Sequence, residues 1–138
     1  RPNTIGLDIN ERNIEYCKSM GLNAVHVTSE EYPFNAAEFD GVVFDNVIEH
    51  LADPQKIISE ISRIMKSSGT LVVGVPGVKG YNSDPDHKKF YELETLKKTF
   101  SKDFIFDKAF YMPLFESEWL SNRISQYAVY SIFVKKSL

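Results

Sequence analysis

Carboxylate, amide and imidazole side chains follow apolar runs at several points of this chain. Asp8 stands at the end of the run TIGLDI, and Asn46 directly follows the run FDGVVFD. Glu49 and His50 come three and four residues after Asn46. A polar side chain at the carboxyl end of a strand faces the ligand crevice of an open α/β sheet, and an imidazole there can accept or donate a proton. The pattern therefore indicates ligand-binding strand ends.

A third polar group lies in the loop GVKGYNSDPDHKKFY, which follows another apolar run. It contains His87 together with Tyr81 and Tyr91. Loops at the ligand edge of a sheet usually cover the bound molecule, and a histidine in such a loop can orient that molecule or take its proton. The alternative interpretation is a surface histidine without a role.

The elements that position these residues can be predicted from local signals. Asp53 and Pro54 are predicted as N-cap and first residue of a helix, because carboxylates and proline favour those positions. The helix has one apolar face at the spacing of a buried surface: Ile57, Ile58, Ile61, Ile64 and Met65. Gly69 is predicted to end the helix in a left-handed turn, and Thr70 to Val75 form the next strand.

The same reasoning covers the rest of the chain. Thr4 to Ile9 is predicted as a strand, Asn10 as the N-cap of a helix that Gly21 closes, and Leu22 to Val27 as another strand. In the aromatic C-terminal third we expect a long strand or extended segment from Phe104, a helix over Glu116 to Ile124 and a closing strand over Gln126 to Lys135. Two further expectations concern side chains: Trp119, Leu120 and Ile124 turn inward, and Cys17 packs in the core.

Composition sets limits on the function. The 138 residues are 43% hydrophobic and 25% charged, which predicts a single domain over residues 1–138. Sixteen Lys and Arg against nineteen Asp and Glu give a net charge of −3, which argues against nucleic acid as a partner. No apolar run approaches the roughly 18 residues of a membrane span, so we expect no membrane partner and a cytoplasmic location.

Four motifs occur in a fixed order between Phe39 and Pro76: FDGVVF, EHLADP, RIMKSSG and LVVGVP. In this order they resemble the second half of a class I S-adenosylmethionine-dependent methyltransferase domain of the small-molecule, type 11-like group. The resemblance implies an α/β, Rossmann-like fold whose sheet is mostly parallel with an antiparallel C-terminal strand pair. It also implies S-adenosylmethionine as cofactor and methyl transfer to a small-molecule acceptor.

The resemblance also implies which residues bind the cofactor. Asp8 would accept hydrogen bonds from both ribose hydroxyls, and Ile9 would pack on the adenine. Many members have an acid where this chain has Thr28 and Ser29, so these hydroxyls either accept from the adenine amino group or cap a turn. The full expected cofactor set is Asp8, Ile9, Thr28, Ser29, Asn46 and Val47, of which the last two would meet the methionine portion. A plain turn is the alternative role for Asn46.

On the acceptor side the expected residues are His50, Tyr81, His87 and Tyr91. In some members an acid three residues before the Glu-His pair contributes to a divalent-metal site. Asn46 occupies that position here, and an amide is a weaker ligand for a hard cation than a carboxylate. The sequence therefore predicts no metal, and no catalytic residue can be assigned from it.

The family's Gly-rich loop, which approaches the methionine portion, has no counterpart among the seven glycines. We therefore expect an N-terminally truncated domain that lacks the first strand and helix, has exposed strand edges suited to homo-oligomers, and binds the cofactor poorly as the 138-residue chain. Two alternatives remain: a non-catalytic, degenerate methyltransferase-like module and a nicotinamide-binding Rossmann enzyme, since an acid after a strand serves both cofactors.

Overall fold

The computed structural model describes residues 3–28, 31–113 and 115–137. The chain divides into two compact units, an N-terminal unit of residues 1–34 and a C-terminal unit of residues 35–138. Each unit has its own sheet.

The N-terminal unit is a strand, a helix and a second strand. Strand β1 (Gly6–Asp8) lies parallel to β2 (Ala24–His26), with Asp8 opposite His26. Helix α1 (Glu11–Ser19) connects them. The Asn10 side chain accepts a hydrogen bond from the backbone N–H of Arg12, and Gly21 has a φ of 73° after the helix, so the predicted N-cap and the predicted glycine terminator are confirmed.

The interior of the N-terminal unit is small. Ile14 on α1 and Ala24 on β2 are buried. Cys17 is a free thiol that is only half-buried, so its predicted core role is met in part.

The C-terminal unit is a four-stranded sheet with strands β3 (Phe39–Asp45), β4 (Met65–Pro76), β5 (Phe104–Met112) and β6 (Ala128–Lys135). Their spatial order is β3-β4-β6-β5. Strands β3 and β4 are parallel, whereas β6 is antiparallel to both β4 and β5. The predicted antiparallel pair of the last two strands is confirmed, and β6 is inserted between its two neighbours.

Helices connect these strands. After β3 come a 3₁₀ turn over Ile48–His50 and helix α2 (Gln55–Ile64). After β4 come α3 (Val78–Asn82) and α4 (Leu93–Phe100), and α5 (Glu118–Ser121) precedes β6. Helix α2 begins at Gln55 with Pro54 in the N-cap position, one residue later than predicted. The Asp53 carboxylate accepts from the backbone N–H of Gln55 at 3.0 Å, so the capping hydrogen bond itself is present.

The core of this unit lies between one sheet face and helices α2 and α4. The predicted apolar face of α2 is buried, and α2 contacts β4 while α4 contacts β5 and β6. Phe133 on β6 is 1% exposed, and its ring centroid lies 5.1 Å from that of Phe100 and 5.7 Å from that of Phe106. The largest buried aliphatic side chains are Ile48, Ile61, Met65, Leu71 and Leu96.

The end of α2 differs from the prediction. The helix ends at Ile64, Met65 is already extended, and the residue with a left-handed backbone is Ser68, with a φ of 62°. Gly69 has another role: a Cβ built there would lie 2.9 Å from the carbonyl oxygens of Asp40 and Lys66. The glycine is therefore required for close backbone approach, which sequence spacing does not reveal.

This difference gives a paired prediction. Gly69→Ala is expected to lower the free energy of unfolding by about 1–3 kcal/mol, because the added methyl group pushes against two backbone carbonyls. Ser68→Gly is expected to leave it unchanged or to raise it by up to about 1 kcal/mol, because glycine adopts a positive φ without strain. Urea unfolding of the two variants measures both effects, and a harmless Gly69→Ala would contradict the close approach.

The short helix α5 corrects a second expectation. Leu120 is buried as predicted, but Trp119 is 60% exposed, and the Arg123 guanidinium lies 4.7 Å from its ring centroid. Helix α5 has only one turn, Glu118–Ser121, instead of the predicted Glu116 to Ile124, and follows Ser117, whose hydroxyl accepts from the backbone N–H of Leu120. Ile124 lies beyond its end and is half-buried. One turn buries only the part of its surface that faces the protein, so neighbouring residues cannot both point inward.

Within the described ranges, no helix has both the length and the apolar character needed to cross a membrane.

Candidate functional site

Asp8 ends β1 and is held in one orientation by hydrogen bonds to both carboxylate oxygens. Oδ1 accepts from the backbone N–H of Asn10 at 2.8 Å, and Oδ2 accepts from the side-chain amide of Asn13 at 2.8 Å. The hydrogen bond from Asn13, followed by that from the backbone of Asn10, holds the pKa of Asp8 below its usual value. The group is thus an oriented, ionised carboxylate at neutral pH.

The residues beside Asp8 also follow strand ends. Ile9 is 71% exposed, and its carbonyl lies 3.0 Å from Nε2 of His26 on the neighbouring strand. Thr28 follows β2 and is exposed. Ser29 lies outside the described residues. Since β1 and β2 are parallel, their carboxyl ends meet at one edge of this small sheet, which brings Asp8, Ile9 and Thr28 to the same side of the N-terminal unit.

In the C-terminal unit Asn46 follows β3 with a left-handed φ of 51°. Its backbone N–H donates to the Gly74 carbonyl at 3.0 Å, and its side-chain amide donates to Oδ1 of Asp45 at 2.9 Å. The next residue, Val47, is 38% exposed. Asparagine tolerates a left-handed backbone well, so the geometry agrees with the turn role considered for Asn46.

Glu49 is the most unusual residue of this edge. Its side chain is 1% exposed, and neither carboxylate oxygen has a hydrogen-bond partner among the described residues. Burial raises the pKa of Glu49 above its usual value, which the dipole of its own backbone N–H and the nearby His50 and His87 only partly oppose. Sequence analysis left its role open, since no local signal distinguishes a buried glutamate from an exposed one.

His87 lies against Glu49 and His50. The His87 Nε2 atom is 3.9 Å from Oε1 of Glu49, and the ring centroids of His87 and His50 are 4.6 Å apart. Nδ1 of His87 lies 2.7 Å from the Tyr81 carbonyl oxygen, and the Tyr81 ring stacks on the imidazole at 5.1 Å. A carbonyl oxygen only accepts, so Nδ1 donates this hydrogen bond, and Nε2 is the acceptor nitrogen of the neutral imidazole.

Tyr91 lies close enough to Glu49 for the charge of that carboxyl group to affect its pKa. Its side chain is 2% exposed, its hydroxyl has no hydrogen-bond partner among the described residues, and burial together with the charge of Glu49 raises its pKa. The expected acceptor residues His50, Tyr81 and His87 are thus brought into contact, and Tyr91 lies within electrostatic reach of Glu49.

The backbone holds this cluster together. The N–H groups of Lys88 and Lys89 donate to the Glu49 carbonyl at 2.7 and 3.2 Å, which ties the loop after α3 to the 3₁₀ turn after β3. Both segments follow the carboxyl ends of adjacent parallel strands, where ligands bind in open α/β sheets. The arrangement offers an imidazole oriented through its Nδ1, a second imidazole and a buried carboxyl group on one edge.

Comparison with known proteins identifies the family. The family model for a methyltransferase domain matches residues 2–73, which is more than half of the chain. The chain therefore belongs to this methyltransferase domain family, as the motifs between Phe39 and Pro76 predicted. Its fold is the α/β, Rossmann-like fold of class I methyltransferases, with a mixed sheet that contains antiparallel strands.

Three relatives illustrate the similarity. An uncharacterised protein of Methanocaldococcus jannaschii is 29% identical over 99 residues, which are 72% of this chain and 46% of that protein. A SAM-dependent methyltransferase of Archaeoglobus fulgidus has 26% identity and a TM-score of 0.71, covering 96% of this chain and 75% of the other. The putative methyltransferase of Haloferax volcanii, solved with the Trm112 methyltransferase activator, has 16% identity and a TM-score of 0.75, covering 96% and 72%.

The chain spans less than half the length of the curated archaeal relative it matches. The likeness to the Haloferax structure shows the fold alone. The predicted family and fold are therefore confirmed, whereas the predicted site residues and the predicted truncation stay predictions.

Proposed function

We propose that the full-length protein transfers a methyl group from S-adenosylmethionine to a small-molecule acceptor. The observation that carries the proposal is Asp8, an oriented carboxylate at the carboxyl end of a parallel strand in a chain of the methyltransferase domain family. The cofactor supplies a methyl group already activated by the sulfonium charge. The protein's own tasks are therefore binding, alignment, exclusion of water and removal of a proton from the acceptor.

Asp8 has the free capacity that ribose recognition requires. An ionised carboxylate has about four lone-pair sites, and the bonds from Asn10 and Asn13 use one site on each oxygen. Each oxygen can therefore accept one more hydrogen bond, which suits the two neighbouring hydroxyls of a ribose. The existing bonds fix the carboxylate before binding, so little rotamer entropy is lost when the ligand arrives.

Ile9 and Thr28 extend the same edge of the N-terminal unit. The 71% exposed Ile9 side chain offers an apolar surface next to Asp8, as packing against an adenine ring requires. We assign the amino-group contact of the adenine to Thr28 and Ser29. In the C-terminal unit we assign the methionine portion to Asn46 and Val47, through the backbone, because the Asn46 amide already donates to Asp45.

The acceptor is proposed to bind beside His50, Tyr81, His87 and Tyr91. The hydrogen bond from His87 Nδ1 to the Tyr81 carbonyl fixes the tautomer and leaves Nε2 able to accept a proton. If the acceptor is a hydroxyl, His87 is the group that takes its proton. The buried side of this cluster, formed by Glu49 and Tyr91, excludes water.

A binding comparison tests the proposal against the nicotinamide alternative. We expect the full-length protein to bind S-adenosylhomocysteine, the reaction product, with a micromolar dissociation constant in calorimetry, and NAD⁺ at least about 100-fold more weakly. Asp8 at the end of β1 can bind the ribose of either ligand, so the difference in affinity must come from the rest of the site. Tighter binding of NAD⁺ would overturn the proposal, and binding of neither ligand would favour the non-catalytic module.

A further inference from the structure

We propose that Glu49, His50 and His87 form a binding site for a divalent transition-metal ion such as Zn²⁺, with one carboxylate and two imidazole ligands. The site is compatible with the proposed cofactor and acceptor binding, because methyl transfer from a sulfonium needs no metal ion. It replaces the proton-accepting role proposed for His87, because Nε2 cannot bind an ion and a proton at the same time. It is also the opposite of the sequence-based expectation, which considered only the residue at position 46 as the further ligand.

The first argument is geometric. One ligand atom from each of the three side chains lies within 4.8 Å of the other two, and Nε2 of His87 is 3.9 Å from Oε1 of Glu49. An ion with ligand bonds of about 2.0–2.2 Å in tetrahedral geometry holds its ligands roughly 3.3–3.6 Å apart. A contraction of at most about 1.5 Å, achieved by side-chain rotation, would convert the observed cluster into a coordination site.

The second argument is the state of Glu49. Its carboxyl group is 1% exposed, and both oxygens are without hydrogen-bond partners among the described residues. A buried carboxylate without a partner is costly, and native proteins give such a group a counter-charge, a proton or a cation. The Glu49 carboxylate lies beside the imidazoles of His50 and His87, and a neutral imidazole is a common metal ligand.

The third argument is the hydrogen bond of His87 to the backbone. Histidines that bind a metal through one ring nitrogen usually donate the other N–H to a carbonyl or a carboxylate, which fixes the tautomer and the ring orientation. Nδ1 of His87 makes this bond to the Tyr81 carbonyl at 2.7 Å, and the Tyr81 ring stacks on the imidazole with 14° between the planes. The other nitrogen, Nε2, lies 3.9 Å from Oε1 of Glu49 and equally far from Oδ2 of Asp84.

The ligand set defines the class of ion. Two imidazoles and one carboxylate favour Zn²⁺, Co²⁺, Fe²⁺ or Mn²⁺ over Ca²⁺ and Mg²⁺, which prefer oxygen ligands only. Three protein ligands leave at least one position for water or for an oxygen of the acceptor. Asn46 is not needed as a ligand, since its side-chain amide donates to Asp45.

A competing account has Glu49 protonated and no ion bound. In that case its proton would be shared with His87 or Tyr91, and a cation would gain nothing by binding. The two accounts differ in stoichiometric metal binding, which can be measured on the full-length protein.

The test is a titration of chelator-treated, full-length protein with Zn²⁺ in calorimetry and with Co²⁺ in visible absorption. We expect one ion per chain within this domain and a micromolar or lower dissociation constant. Glu49→Gln and His87→Ala should each weaken binding by at least about 100-fold, because removing a ligand costs no less than the 10- to 100-fold loss seen for outer-shell partners. The Co²⁺ spectrum should show the intense bands of a four- or five-coordinate site.

The chain provides a matched control, because only three histidines are present. His26→Ala removes the one that bonds the Ile9 carbonyl in the N-terminal unit, and it should leave metal affinity unchanged. If a ligand variant fails to fold, the wild-type Co²⁺ spectrum and the rise of Tm with Zn²⁺ still decide.

Three outcomes overturn the proposal: no stoichiometric binding to the wild type, binding that survives both ligand substitutions, or binding that His26→Ala abolishes. S-adenosylhomocysteine titrations of the same preparations separate this result from the proposed function. If metal-free protein binds S-adenosylhomocysteine unchanged, the proposed methyl transfer is supported whatever the metal titrations show. The metal proposal is then judged by the metal titrations alone.

Discussion

Replacing Phe133 by alanine is expected to lower the free energy of unfolding by about 3–5 kcal/mol. The ring is 1% exposed and lies between Phe100 of α4 and Phe106 of β5, so its removal leaves a cavity between a helix and the sheet. Strand β6 pairs with β4 and β5 on either side, which prevents the backbone from moving inward to fill the space. Urea unfolding followed by circular dichroism measures the loss.

Phe110→Ala is the matched control. Phe110 lies on β5 in the same sheet but is 50% exposed, so the same chemical change should cost about 1 kcal/mol or less. Equal losses for the two variants would contradict the packing of Phe133 against α4.

The second large effect concerns the ligand. Asp8→Ala in the full-length protein is expected to weaken binding of S-adenosylmethionine by about 1–3 kcal/mol, or roughly 5- to 150-fold, because a charged hydrogen-bonding partner of the ribose is removed. The same substitution also removes the acceptor for Asn10 and Asn13, so the thermal stability of the variant must be recorded.

Glu15→Ala controls for the loss of a negative charge in the same unit. Glu15 is an exposed acid on α1, and its removal should change cofactor affinity by less than about twofold. If Asp8→Ala binds the cofactor as tightly as Glu15→Ala does, Asp8 is not the ribose ligand.

Local signals were sufficient for much of the fold. The bounds of β3 were predicted from one apolar run, and Asn10, Gly21 and Asp53 were identified as cap residues because capping depends on neighbouring residues only. The register and order of the strands were harder. The position of β6 between β4 and β5 arises from pairing between distant segments, which alternation within one strand does not encode.

The errors also have physical causes. Gly69 was expected to take the left-handed backbone because glycine does so most readily, but Ser68 has it and Gly69 serves a close approach to distant carbonyls. Trp119 was placed inside because aromatic residues are mostly buried, whereas a helix of one turn leaves it exposed beside Arg123.

The candidate site shows the same division. The position of Asp8 at a strand end was readable from the sequence, but its orientation by Asn13 was not, since a side-chain bond between polar residues has no signature. The burial of Glu49 against His87 was equally hidden, because the two residues meet only when β3 and β4 place their following loops side by side. Sequence reasoning considered a further metal ligand only at position 46 and did not place the loop histidine beside Glu49.

The central claim is that Asp8 binds the ribose of an adenosyl cofactor, and a crystal structure of the full-length protein with S-adenosylhomocysteine tests it most directly. The account predicts both ribose hydroxyl oxygens at about 2.5–3.0 Å from the Asp8 carboxylate oxygens, with the bonds from Asn10 and Asn13 retained. A structure in which the ribose hydroxyls bond other groups, while Asp8 keeps only its bonds to Asn10 and Asn13, would contradict it.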